Sequence, residues 1–172
     1  SMSGLGDGRD ADFGQSAQDL TADVQVGALL DALVDAHNLA PSNNEVAFID
    51  ARLADVASII SAIPDGTRVV LIDGNSDGVA QMTSALENMQ GVTGIHLIGH
   101  GEAGSLQLGT STLDANSMST VYRQALSSIH DNLSDGADIL IYGCNFGAGA
   151  AGQQATALLA GLTGADVASS DD

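Results

Sequence analysis

A chain of 172 residues can enclose one α/β core but is too short for two ordinary domains and a linker. It sets 22 acids against four cations, for a formal net charge of -18. Such a surface repels nucleic acid and anionic lipid and excludes both as partners.

The cations are Arg9, Arg52, Arg68 and Arg123, and the glutamates are Glu45, Glu87 and Glu102. This surface is expected to associate with cations and suits a medium in which they screen its self-repulsion. Aromatic content is only 3%, so the core must be built from Ala, Val, Leu and Ile. Cys144 is the single cysteine, which rules out an internal disulfide and makes a reactive thiol one reason for its presence. No apolar run can span a membrane, so membrane insertion is not expected. Ser1-Met2 reads as a scar of tag removal, and the chain is expected to be a piece of a longer protein.

Residues 1–22, rich in Gly, Asp, Ser and Gln, read as a mobile leader. Val24–His37 carries Val26, Leu29, Leu30, Leu33 and Val34 at helical spacing. Asn38–Asn44 is a proline-containing break and a natural boundary. From Glu45 strand and helix patterns alternate. Strands are predicted at Glu45–Asp50, Thr67–Asp73, Gly94–Gly99, Ala137–Tyr142 and Ala165–Ser169. Helices are predicted at Leu53–Ile63, Val79–Met89, Asp114–Leu133 and Ala150–Leu162. Residues 101–112 read as a glycine-punctuated loop or hairpin. Short apolar strands separated by helices imply a mainly parallel sheet covered on both faces, an α/β three-layer sandwich. The division is 1–44 for leader and helix and 45–172 for the α/β domain. The helix is a candidate pro-segment, with Asn38–Asn44 as its cleavage loop.

Binding chemistry in parallel α/β sheets collects at the carboxyl ends of the strands. Two of those ends share one grammar: GIHLIG runs into His100-Gly101, and ADILIYG runs into Cys144-Asn145. On neighbouring strands the two side chains would start about 5 Å apart. A cysteine thiolate attacks acyl carbons, and a histidine can protonate a departing amine. The N–H groups of Gly101 and Cys144 are the candidate oxyanion donors. Glu102 and Asn145 are candidate cleft residues. The bland alternative is a packed thiol and a structural histidine.

The strings "IHLIGHG" and "DILIYGCN" resemble the caspase–gingipain–legumain superfamily of cysteine peptidases. With "HLIGHGEAGSLQLG", "LIYGCNFGAGAAGQ" and "LTGADVASSDD", the chain from Glu45 is similar to a domain of unknown function near the N-terminus of large bacterial surface proteins, ahead of cadherin-like and RTX calcium-binding repeats. The resemblance implies a caspase-like fold and a thiol endopeptidase, with Cys144 as nucleophile and His100 as acid and base. It implies a peptide or protein substrate, including the chain's own parent, and an extracellular or cell-surface location. No cofactor is required by that chemistry. The alternative is a non-catalytic module of a calcium-dependent adhesin.

Two other motifs compete. Gly99–Gly104 fits G-x-G-x-x-G, but a dinucleotide site needs a helix there and SLQLG reads as strand. Asp73, Asn75 and Asp77 fit the first half of a calcium loop, although the twelfth position is Ser84. The favoured reading there is a turn in which Asp77 caps the next helix. His96 is expected to pack within its strand, and Tyr142 and Phe146 are expected to pack as well.

Overall fold

The computed structural model describes residues 27–169. The predicted leader, residues 1–22, and the first residues of the predicted helix Val24–His37 lie outside the described residues.

Helix α1 occupies 27–39. Strand β1 (Glu45–Asp50) leads to α2 (Val56–Ala62), β2 (Arg68–Ile72), α3 (Gly78–Leu86) and β3 (Val92–Ile98). Three short strands follow, β4 (His100–Glu102), β5 (Ser105–Leu108) and β6 (Ser111–Leu113). Helices α4 (Ala115–Ser119) and α5 (Arg123–Ile129) lead to β7 (Leu133–Tyr142), α6 (Gly149–Thr163) and β8 (Asp166–Ser169). The main sheet has five strands in the order β2-β1-β3-β7-β8, all parallel. β4, β5 and β6 form a separate antiparallel sheet.

The period-2 geometry of a strand divides β1 between two cores. Val46 and Phe48 join the larger one, with residues of α3, α5 and α6. Ala47 and Ile49 join the smaller one, with Val56 and Ile60 of α2 and Leu30, Leu33 and Val34 of α1. Helices therefore cover both faces, and the fold is the expected three-layer α/β sandwich.

α1 is bonded into this architecture. His37 is buried and donates from Nε2 to the Ile60 carbonyl at 3.0 Å. Asn38 bonds both Val69 N–H (2.9 Å) and Val69 C=O (3.0 Å) on the edge strand β2. At that one residue its side chain does what a further strand would do, and it occupies part of an edge that would otherwise invite pairing. The predicted cleavage loop is also tied down, since Ser42 and Asn43 donate from their backbone to Gly66 O at 3.0 and 3.4 Å.

The predicted helix Asp114–Leu133 is two helices. Asp114 caps its start in a capping box with Ser117, but the chain breaks at Thr120, whose φ and ψ are -124° and -88°. Thr120 and Val121 are β-branched, and Val121 is exposed, so no core contact holds a continuous helix together there. β7 begins at Leu133, earlier than the predicted Ala137. Its register on β3 shifts between Val92↔Leu133 and Gly94↔Asp138, and Gly136 turns at φ 76° within the irregularity.

No helix among the described residues is long and apolar enough to cross a membrane.

Candidate functional site

The sheet order reverses at β1: β2 lies on one side of it and β3 on the other. The carboxyl edge beside such a reversal is where α/β sheets leave a crevice. β3 and β7 are neighbours, with Ile98 opposite Tyr142. His100 and Cys144 each stand two residues past that pair, so the two side chains leave adjacent strands on one edge.

Cys144 stands on a tight turn. The Phe146 N–H donates to the Gly143 carbonyl at 3.1 Å, which closes a four-residue loop with Cys144 at its first corner. The second corner, Asn145, takes φ 60°, the left-handed region that Asn tolerates better than most residues. Phe146 is buried and anchors the turn, while Cys144 and Asn145 are exposed. Asn145→Ala is expected to cost about 1 kcal/mol in urea unfolding, because Ala keeps a Cβ at positive φ without the short polar side chain that lets Asn tolerate it, and Asn145→Gly, which has no Cβ, is expected to be near neutral.

The histidine arm is a hairpin. His100, Gly101 and Glu102 of β4 pair with Gln107, Leu106 and Ser105 of β5. A hairpin thus stands where a dinucleotide site would begin a helix. Its tip is fastened to the cysteine turn, since the Gly104 N–H donates to Phe146 O at 2.7 Å. Backbone meets backbone between the two arms. A Cβ on Gly101 would lie 2.6 Å from the carbonyl carbon of Gly143 and 3.0 Å from the nitrogen of Cys144. Only glycine permits that approach, and it brings the two candidate oxyanion donors together. Gly101→Ala is expected to cost about 1–3 kcal/mol and to splay the arms. Thermal unfolding with alkylation rates at Cys144 checks it; an unchanged midpoint and rate would count against the close approach.

Cys144, His100, Gly99, Gly101 and Tyr142 border one cavity of about 460 Å³. Tyr142 was expected to pack, yet it is 41% exposed and forms part of this wall. The alternation of β7 explains it. Ile139 and Ile141 point into the larger core, which leaves Tyr142 on the opposite face. His96 is half-buried, with Nε2 2.8 Å from Glu45 Oε1, and its ring stacks on Tyr142. Glu102 is exposed beside His100.

Below the hairpin lies a pair that sequence reasoning missed. Asp50, at the end of β1, is buried and accepts hydrogen bonds from Arg52 N (2.8 Å), Arg52 Nη2 (3.3 Å) and Gly109 N (2.9 Å). Burial pushes its carboxyl up, but the bonds from Arg52 and Gly109, with the charge of Arg52, outweigh burial and hold it below the usual carboxylate range. Gly109 turns the chain from β5 to β6, so this pair anchors the far end of the histidine arm. An acid closing a strand, with an arginine two residues on, was the available signal.

Asp73 and Asp77 act as the turn reading expects. Asp73 accepts from Asn75 N at 2.9 Å, and Asp77 caps α3 by accepting from Ala80 N at 3.0 Å. Asp77 also accepts from the Ser111 hydroxyl at 2.6 Å. Burial pushes the Asp77 carboxyl up, but bonds from Ser111, Ala80 and Val79 outweigh it and hold it low. Among the described residues, no group of three or more His, Cys, Asp or Glu side chains is placed to hold a metal.

One family matches the chain, over residues 46–172, and its description is "Domain of unknown function (DUF4347)". The chain belongs to this family. The matched region of this DUF4347 domain begins one residue inside β1 and takes in both arms of the site. No curated protein and no solved structure gives a match.

Proposed function

We propose that this DUF4347 domain is a cysteine endopeptidase that cuts a surface or secreted protein, its own parent included. The observation that carries the reading is the pairing of Cys144 and His100 at adjacent strand ends, bordering one open cavity. In this mechanism the Cys144 thiolate attacks the carbonyl carbon of a peptide bond and forms the S–C bond of a tetrahedral intermediate. The Gly101 and Cys144 N–H groups stabilise its oxyanion. His100 protonates the leaving amine as the C–N bond breaks, and then draws a proton from the water that hydrolyses the thioester. The resemblance to caspase-like peptidases, and to domains that precede RTX and cadherin-like repeats, supports the chemistry and the extracellular setting.

A second reading has its own observation. The imidazoles that hydrogen-bond to other residues are those of His37 and His96; the His100 imidazole has no such partner among the described residues. A non-catalytic adhesin module has no need of an oriented imidazole.

The deciding experiment incubates wild type and Cys144→Ala, with and without calcium, together with a denatured protein substrate. Fragments are followed by mass spectrometry. Cleavage by the wild type alone is the expected result, and the calcium arm reports whether the acidic surface takes part. If nothing is cut and no peptide-directed thiol inhibitor engages Cys144, the peptidase reading falls. The module reading instead requires that Cys144→Ser leave adhesion by the full-length protein unchanged.

A further inference from the structure

A central cavity borders Cys144 and His100, two more share lining residues with it, and their chemistry differs. The central one holds both side chains. A second, of about 430 Å³, is lined chiefly by Ile59, Ile63, Pro64, Ile98, His96 and Tyr142. It shares Ile59, Ile98 and Tyr142 with the central cavity, so the two adjoin. The third, also about 430 Å³, is polar and lined by His100, Gly101, Glu102, Ser105 and Gln107.

The architecture accounts for the apolar cavity. On its side of the sheet, the smaller core is built over β2, β1 and the end of β3, by Val69, Ala47, Ile49 and Ile98. No β7 or β8 side chain belongs to that core. The helical layer therefore stops at β3 among the described residues, and a step remains between α2 and Tyr142.

Reaction chemistry sets the direction of a bound peptide. The acid that protonates the leaving amine must stand beside that nitrogen. The half of the substrate that leaves as an amine thus passes His100 into the polar cavity. The acyl half then leaves the central cavity away from the polar one, towards the apolar cavity that adjoins it. Resting on the peptidase reading above, we infer that the Ile59–Ile63–Tyr142 cavity is the selectivity pocket and takes a bulky apolar or aromatic side chain from the acyl half of the substrate. Its one polar pair is closed on itself. His96 Nε2 lies 2.8 Å from Glu45 Oε1, and the Tyr142 hydroxyl lies 3.5 Å from His96 Nδ1. His96 is thus engaged by its neighbours, the rest of the lining apart from Tyr142 is apolar, and burying an uncompensated charge in such a lining is costly. Tyr142, stacked on His96 with ring centroids 6.0 Å apart, forms the aromatic wall.

Two measurements test this and separate it from the peptidase reading. The first uses Cys144→Ala protein, in which no chemistry can occur. N-acetyl tripeptide amides ending in Phe, Asp or Lys are titrated, and the methyl resonances of Ile59, Ile63 and Ile98 are followed. The Phe peptide is expected to shift all three and to bind about ten-fold tighter than the others. Equal binding by all three peptides, or no shift, overturns the pocket. The second uses acyloxymethyl ketones of the same peptides on the wild type. The Phe compound is expected to label Cys144 about ten-fold faster than the Asp compound. Ala62→Arg, on the exposed rim, is expected to reverse that order. Labelling of Cys144 without preference removes the pocket and leaves the peptidase reading. Phe-selective binding with no labelling removes the peptidase and leaves the pocket as a binding site.

Discussion

Replacing His100 with alanine is expected to lower peptide cleavage by about 10²–10⁴-fold near neutral pH, the usual worth of a positioned acid–base group. The thiol of Cys144 remains exposed on its own turn, so alkylation by iodoacetamide should persist in the variant. This separation of chemistry from access is the informative part. The cysteine turn is closed by its own Gly143–Phe146 hydrogen bond and anchored by buried Phe146, neither of which involves the imidazole. His100→Ala should therefore fold with an unchanged melting midpoint, and the loss should appear in kcat rather than in KM. Undiminished cleavage by this variant, measured on a substrate that Cys144→Ala leaves intact, would remove His100 from the mechanism. Glu102→Gln serves as the control. Glu102 is exposed, and its loss should change cleavage by less than ten-fold.

The sheet was legible in the sequence because its strands are short apolar runs at regular spacing, and a parallel sheet buried on both faces leaves that signature. The carboxyl-end rule then pointed to the edge where His100 and Cys144 emerge. Interactions between residues distant along the chain were not legible. Nothing local in Thr120-Val121 marks the end of a helix as Pro or Gly would, so α4 and α5 read as one. Tyr142 was expected in the core because apolar runs do not reveal which face a missing helix leaves open. Asn38 reads as a break residue in NLAPSNN, but its use depends on β2 lying beside it, across 31 residues of chain. The role of the Asp50–Arg52 pair was hidden for the same reason, although the two residues are neighbours in the chain. Its third member, Gly109, lies 59 residues from Asp50.

That pair should make the stability of the domain depend on pH. Asp50→Ala removes a buried carboxylate, leaves the Gly109 N–H without its acceptor, and strips Arg52 of its partner. A buried unsatisfied donor costs about 1–3 kcal/mol. Breaking a fully buried ion pair costs about 3–5 kcal/mol, but Arg52 is half-exposed, so solvent recovers part of that. A net loss of about 2–4 kcal/mol in urea unfolding at pH 7 follows. The sign with pH is fixed by the direction of the shift. The folded carboxyl ionises below its ordinary range, so its stabilisation is complete above the unfolded value. It is lost as pH falls through the folded one, and the gap between wild type and Asp50→Ala should narrow between pH 6 and pH 2. A gap that stays constant across that range would show that Asp50 acts through packing rather than through its charge. Because Arg52 Nη2 also donates to the Gly109 carbonyl, at 2.6 Å, the same acid step should loosen the β5–β6 turn. β5 carries the pairing partners of His100 and Gly101, so that loosening reaches the histidine arm. Cleavage should therefore decline with acid in parallel with the loss of exchange protection at the Gly109 amide, even while the rest of the sheet stays folded.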